Sequence, residues 1–231
     1  MKNKLWTYGC SFTYDAHWPR YDKGWFDYIA DEFELEHIPR HSAGYGWTKI
    51  KNDFYEDLPK WGDNDMIIVQ SSHLLRMYCE FLQLRFDRFR YNPEVNCIRE
   101  INDEKNLEAL LYISKSIPEI KQENWNQFRT SLEILEKLNK RWYWWVFEFN
   151  GPEGEPGWEC NDDILKKFGD KFLNFDCTSG TFDEYMYNNP HYCKNYEIGD
   201  MHQTYECHKI QGDVFINKIK DYEKRRTNSS L

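Results

Sequence analysis

The chain has 231 residues, 30 Lys and Arg against 39 Asp and Glu, a formal charge of −9 and 18 % aromatic residues. That length fits one large domain or two small ones at most. The ring content excludes a disordered chain, and the acidic balance excludes a fold-wide basic footprint for nucleic acid.

No apolar run approaches the roughly 20 residues that span a bilayer. The N-terminal MKNKLWTYGCSF reaches polar residues too soon for a signal peptide. A cytoplasmic protein without nucleic-acid or membrane partners is the expectation. Seven cysteines, at 10, 79, 97, 160, 177, 193 and 207, make an odd count with no C-x-x-C pair. They read as buried or free thiols rather than a disulfide framework.

In chain order, Leu5 to Tyr8 is a short apolar run stopped by Gly9 and reads as a first strand. Gly24 to Phe33 carries apolar residues at 25, 26, 29, 30 and 33, which is helical spacing. Glu36 to Arg40 reads as a second strand, and Trp47 to Leu58 as a helix closed by Pro59. Asp65 to Gln70 is the clearest strand; its apolar run is unbroken, as in a parallel strand covered on both faces.

Residues 73–140 are charged and mostly helical in pattern, best over Leu107 to Ile113 and Trp125 to Leu138. Arg141 to Phe149 reads as a strong strand, and 150–157 as a loop by its Gly and Pro content. Ile164 to Phe168 reads as helical and Phe172 to Phe175 as a short strand. Thr178 to Gly199 reads as irregular, His208 to Tyr222 as a closing helix, and Lys224 to Leu231 as a frayed tail. Strand, helix, strand, helix, strand in the first 70 residues predicts a βαβ series, hence a parallel sheet with helices on both faces. Such sheets carry their sites at the carboxyl ends of the strands.

Three of those ends hold suggestive chemistry. Gly9-Cys10-Ser11-Phe12-Thr13 follows the first strand. Gly9 permits a sharp turn, and a Ser at the start of a helix exposes its hydroxyl and its own N–H to a developing oxyanion; an ordinary N-cap is the alternative. His41 to Thr48 carries Gly44 and Gly46, which let backbone N–H groups approach a ligand, or simply form a strand-to-helix turn. Asp200-Met201-His202 precedes the last helix. There a carboxylate can stabilise the imidazolium formed when His takes a proton from Ser, or Asp200 and Thr204 can cap the helix.

These blocks, with a third strand ending in Gln70-Ser71-Ser72, resemble the SGNH (GDSL-like) hydrolase superfamily over nearly the whole chain. The resemblance is closest to divergent phage-type members with a helical segment inserted after the third strand, here about 73–140; for a viral chain the compartment would be the host cytoplasm. It implies one domain over 1–231, a flavodoxin-like three-layer α/β/α sandwich with about five parallel strands. Carried over by position, Ser11 is the nucleophile, His202 the general base and Asp200 its orienting partner. The N–H groups of Ser11 and of Gly44 or Gly46 line the oxyanion hole. The family's third donor is an Asn; this chain has Ser72 near that place, with Gln70 before it and Arg76 four residues on. Cys10 stands where Asp is usual, the last block is Asp-x-His rather than Asp-x-x-His, and Gln203 stands where Pro often follows. An α/β-hydrolase elbow, G-x-S-x-G, does not fit, because Thr13 occupies the second Gly position.

Rival chemistry is sparser. His191, Cys193, His202, Cys207 and His208 are zinc-ligand types within 18 residues, but adjacent Cys207 and His208 do not match zinc spacing. Cys10 could serve as a thiolate nucleophile, or pack as a buried thiol. Trp142, Trp144 and Trp145 read as core, whereas Tyr185, Tyr187, Tyr192 and Tyr196 could floor a sugar cleft or pack a long loop. Glu153, Glu155, Asp162 and Asp163 read as solvated charges, and no phosphate-binding glycine loop is present. The expectation is a serine esterase or deacylase acting on a small ester, such as an O-acetyl group on a glycan, without metal or organic cofactor. A weakly catalytic SGNH-like binding or assembly module is the alternative.

Overall fold

The computed structural model describes residues 2–9, 23–41, 47–71, 78–79, 84–85, 117–146, 158–175, 177–195 and 200–228. Their regular elements are β1 (Lys4–Gly9), α1 (Trp25–Glu32), β2 (Glu36–His41), α2 (Trp47–Asp57), β3 (Met66–Ser71), β4 (Tyr78–Cys79) and β5 (Leu84–Arg85). After these come α3 (Ile117–Lys137), β6 (Arg141–Val146), α4 (Trp158–Phe168), α5 (Phe182–Asn188), β7 (Cys193–Asn195), β8 (Asp200–Gln203) and α6 (Tyr205–Asn228).

The main sheet runs β2-β1-β3-β6, all parallel, with helices on both faces. Its unbroken apolar strands follow from that: β3 is buried at every position, and the last five residues of β1 and of β6 are buried too. Alternation then sorts the side chains. Trp6, Tyr8, Ile67, Val69, Trp142 and Trp144 pack against α2, α3 and α4. Leu5, Met66, Ile68, Tyr143 and Trp145 pack against α1, α5 and α6. The expected fifth strand, Phe172 to Phe175, contributes one parallel bridge, Trp144 to Phe172, and Leu173 N–H donates to the Trp144 carbonyl at 2.8 Å.

Four expectations shift. The 73–140 stretch includes a two-residue antiparallel ladder, β4 with β5, beside the long helix α3; Leu107 to Ile113 lies outside the described residues. The stretch read as irregular contains α5, whose first turn is capped by Thr181 Oγ1 accepting from Glu184 N–H. α6 begins three residues earlier than expected and runs through most of the supposed tail, to Asn228. It is anchored just before the supposed tail, where Glu223 accepts from Tyr143 OH at 2.9 Å and from Arg141 Nε at 2.5 Å, and within it, where Arg226 Nη2 donates to Asn139 Oδ1 at 3.3 Å. Arg225 and Arg226 in its last turn suit the negative end of the helix dipole.

Gly212 marks the crossing of α1 and α6. A methyl there would sit 2.9 Å from Tyr28 Cβ and 3.2 Å from the Trp25 carbonyl oxygen. Only a residue without a side chain lets the two backbones come this close.

Candidate functional site at the carboxyl rim

The strand register brings four chain exits to one edge. Gly9 pairs with His41, Tyr8 with Val69, Gln70 with Trp145 and Ser71 with Val146. Thus β1, β2, β3 and β6 all end within about one residue of the same level. In the sequence, Ser11 is two residues past β1, Gly44 and Gly46 three and five past β2, and Ser72 and Arg76 one and five past β3. Ser11, Gly44, Gly46, Ser72 and Arg76 themselves lie outside the described residues, as do Cys10 and Tyr196.

Helix direction brings the start of α6, which follows β8, toward the same rim. Glu223, late in α6, meets Arg141 and Tyr143 at the amino end of β6. Phe215 packs 6.1 Å from Trp145, near the carboxyl end of β6. α6 therefore runs antiparallel to β6, and its first two turns extend past the level of Trp145. Gln211, one turn before Phe215, accepts a hydrogen bond from Gln203 Nε2 at 2.5 Å. This ties the end of β8 to the first turns of α6. β8 is the strand of Asp200 and His202; their side chains are outside the described residues. Thr204 caps α6, its Oγ1 accepting from Cys207 N–H at 3.3 Å, the capping role considered for it from the sequence.

Two polar groupings lie beneath the rim, one on each face of the sheet. On the α2 face, the Asp57 carboxylate is 1 % exposed and accepts hydrogen bonds from three side chains. Arg40 Nη2 donates at 2.9 Å, and its Nε makes an ion-pair contact at 2.6 Å; Lys60 Nζ donates at 2.8 Å and Tyr8 OH at 3.1 Å. Burial would raise this carboxyl, but the hydrogen bonds from Lys60 and Arg40 outweigh it and hold it below its ordinary range. Trp61 Nε1 donates to the Tyr8 oxygen at 3.1 Å. Burial, then the Asp57 charge, push the Tyr8 phenol far above its usual range, so it stays protonated. Tyr8 and Arg40 are register partners, each one residue before its strand end. The grouping therefore clamps the exits of β1 and β2 together.

On the α1 face, Phe26 stacks with His37 at 4.4 Å and lies tilted to His41 at 5.2 Å, and the two imidazoles are 5.8 Å apart. His37 Nε2 shares a hydrogen bond with Thr7 Oγ1 at 2.8 Å, while Asp27 lies 3.7 Å from its Nδ1. Burial lowers the His37 imidazole to about 4, and burial then the neighbouring His37 lower His41 as well. Sequence reasoning passed over both groupings. Asp57 looked like the end of an amphipathic helix, and the only available signal was a basic and aromatic pair, Tyr8 and Arg40, at two strand ends.

The other sequence candidates separate. Among the described residues, no three His, Cys, Asp or Glu side chains come together as a metal site. Cys207 Sγ contacts Met186 Sδ at 3.7 Å and Cys193 Sγ faces the Met186 carbonyl at 3.9 Å, so both thiols pack in the core; burial raises Cys207 to about 12. Trp142, Trp144 and Trp145 are core, as expected. Tyr185, in α5, packs on Phe175 at 5.3 Å and lies parallel to Tyr192 at 6.3 Å, both against the core; Tyr187 is exposed. No described helix is long and apolar enough to cross a membrane.

No protein-family model matches the chain, and no curated protein matches it in sequence. Solved structures do match in shape. The psychrotrophic esterase EstA from Pseudoalteromonas sp., in a structure inhibited by monoethylphosphonate, covers 96 % of this chain and 99 % of its own, with 10 % identity and a TM-score of 0.56. A putative lipolytic protein of the G-D-S-L family from Desulfitobacterium hafniense covers 94 % and 99 %, with 12 % identity and a TM-score of 0.52. The chain has the SGNH-hydrolase fold. A putative GDSL-like lipase from Parabacteroides merdae agrees, at 11 % identity, 95 % and 96 % coverage and a TM-score of 0.50. In this SGNH fold the rim formed by Gly9, His41 and Ser71 is the edge where an α/β sheet holds its ligands.

Proposed function

We propose that the chain is a serine ester hydrolase, with Ser11 as nucleophile, His202 as general base and Asp200 as the partner that orients it. The observation that carries this reading is the common rim. The first, second and third strands end side by side there, and β8 is tied to the start of α6, in a fold shared with an esterase and with a putative GDSL-like lipase. Each strand end leads directly into a segment that carries one of the required groups in sequence.

In the proposed reaction His202 takes the Ser11 proton and Ser11 Oγ bonds to the ester carbonyl carbon. The tetrahedral oxyanion rests on the N–H groups of Ser11 and of Gly44 or Gly46, with the Ser72 hydroxyl or the Arg76 guanidinium adding a donor. The carbon–oxygen bond to the leaving alcohol breaks, and His202 returns the proton to that alcohol. Water, deprotonated by His202, then hydrolyses the acyl-enzyme and restores Ser11. Asp200 stays ionised and stabilises the imidazolium. The substrate proposed is a small ester, with an O-acetyl group on a glycan as its natural form; the reaction calls on no metal or organic cofactor.

The test is reaction with a fluorophosphonate probe and turnover of short-chain aryl acetates. Wild-type protein is expected to label and to turn over, with both lost in Ser11→Ala and reduced at least about 10³-fold in His202→Ala. Ser72 in place of Asn favours a second reading, a weakly catalytic binding or assembly module. Wild-type protein that neither labels nor turns over would establish that reading instead.

A further inference from the structure

Gln203 follows His202 directly and closes β8. Its side chain and that of Gln211 are almost wholly buried, at 2 % and 1 % exposure, and their amides meet at 2.5 Å. Gln211 Nε2 has no acceptor among the described residues. Hydrocarbon of the same volume would fill this space without desolvating two amides. What the amides add is direction: one hydrogen bond fixes where β8 sits along α6.

The next residue is fixed as well. Thr204 N–H donates to the Tyr192 carbonyl at 2.8 Å, and β8 is paired to β7 through Cys193 with Gln203 and Asn195 with Asp200. The backbone on both sides of position 202 is therefore held by β7, by the 190–192 turn and by α6. The Gln203–Gln211 bond joins side chain to side chain, to the helix that reaches the sheet core through Phe215; the Thr204 cap ties the same segment to the helix backbone.

We propose that Gln203 and Gln211 are positioning residues for His202, an inference that rests on the hydrolase reading above. The pair sets the depth of β8 against α6 and so the height of the base over the rim. A reacting group displaced by about 1 Å can lose about 10² in rate, so a hydrogen bond that fixes a strand to a helix is a direct lever on turnover.

The experiment compares wild type, Gln211→Met and Gln211→Glu on p-nitrophenyl acetate, with Ser11→Ala and His202→Ala as references. Gln211→Met is expected to lower kcat about 10- to 100-fold with KM within about twofold, and to shift the acid limb of kcat/KM, which reports the base. Gln211→Glu keeps an acceptor for Gln203 Nε2 and is expected to recover most of kcat. Should Gln211→Met fail to fold, the Gln203→Met/Gln211→Met double variant leaves no amide unpaired and is expected to fold with the same loss in kcat. A lower Tm with kcat, KM and the pH profile unchanged overturns the proposal and leaves the pair a packing contact. Ser11→Ala or His202→Ala that keeps wild-type turnover overturns the hydrolase reading and this inference together. Loss in those two with no effect at Gln211 or in the double variant overturns this inference alone.

Discussion

The two faces of the sheet solve the problem of buried polarity in opposite ways. The face under α2 and α3 concentrates it in carboxylates: Asp57, surrounded by Arg40, Lys60 and Tyr8, and Asp65, which accepts from Trp6 Nε1 at 2.9 Å and Gly62 N–H at 2.9 Å. The face under α1 and α6 uses neutral pairs, His37 with Thr7 and Gln203 with Gln211. The Asp57 grouping holds strand ends one residue below the rim through Tyr8 and Arg40, whereas the imidazoles span β2 from His37, level with Leu5, to His41 at its end. The difference is in what breaks them: a buried ion cluster fails when a partner is removed, whereas buried neutral imidazoles fail when a proton is added.

The largest expected effect tests how far the neutral face depends on its rings. Trp145 touches Trp25, Phe175, Phe182 and Phe215 edge-on or tilted. Trp145→Ala should cost about 4 kcal/mol of unfolding free energy, read by urea titration.

Acid is next, and should act first on the α1 face. His37 titrates at about 4 in the folded chain, below its ordinary value, so the unfolded chain binds the proton more readily. Stability is therefore full above about pH 6.5 and falls through pH 4, by up to about 3 kcal/mol. Thr7 from β1, Asp27 from α1 and His41 from β2 face this ring, and the Asp27 carboxyl is itself raised by burial. Asp57, held low, contributes stability that is lost only below its ordinary value near about 3.9. A Tm that stays flat from pH 7 to 4.5 would contradict this assignment.

Asp57→Ala should cost about 2 kcal/mol at neutral pH and leave the loss between pH 6.5 and 4.5 unchanged, as followed by circular dichroism. The smallest effect is at the helix crossing, where Gly212→Ala should cost about 1 kcal/mol by overpacking against Tyr28 and the Trp25 carbonyl.

The fold was legible where information is local. The unbroken run of Met66 to Val69 announced a covered parallel strand, and the spacing of Trp25, Phe26, Ile29 and Ala30 announced α1. It was not legible where partners are distant. The end of α6 reads as a charged tail until Arg226 finds Asn139, 87 residues away. α5 is short and rich in Tyr and Asn, and needed Thr181 to cap it. Of the candidate site, the strand ends were legible because a βαβ series dictates which edge matters. The clamp on Asp57 was not, because Arg40 and Tyr8 lie 17 and 49 residues from it. Gln203 drew notice as a departure from the family pattern, and its partner Gln211 drew none.

The most direct test of the hydrolase account is to map, by tandem mass spectrometry, where a fluorophosphonate attaches to the wild-type chain. The account predicts one adduct, on Ser11, that forms more slowly in His202→Ala. An adduct on any other residue, or an unmodified chain after prolonged exposure, would contradict it.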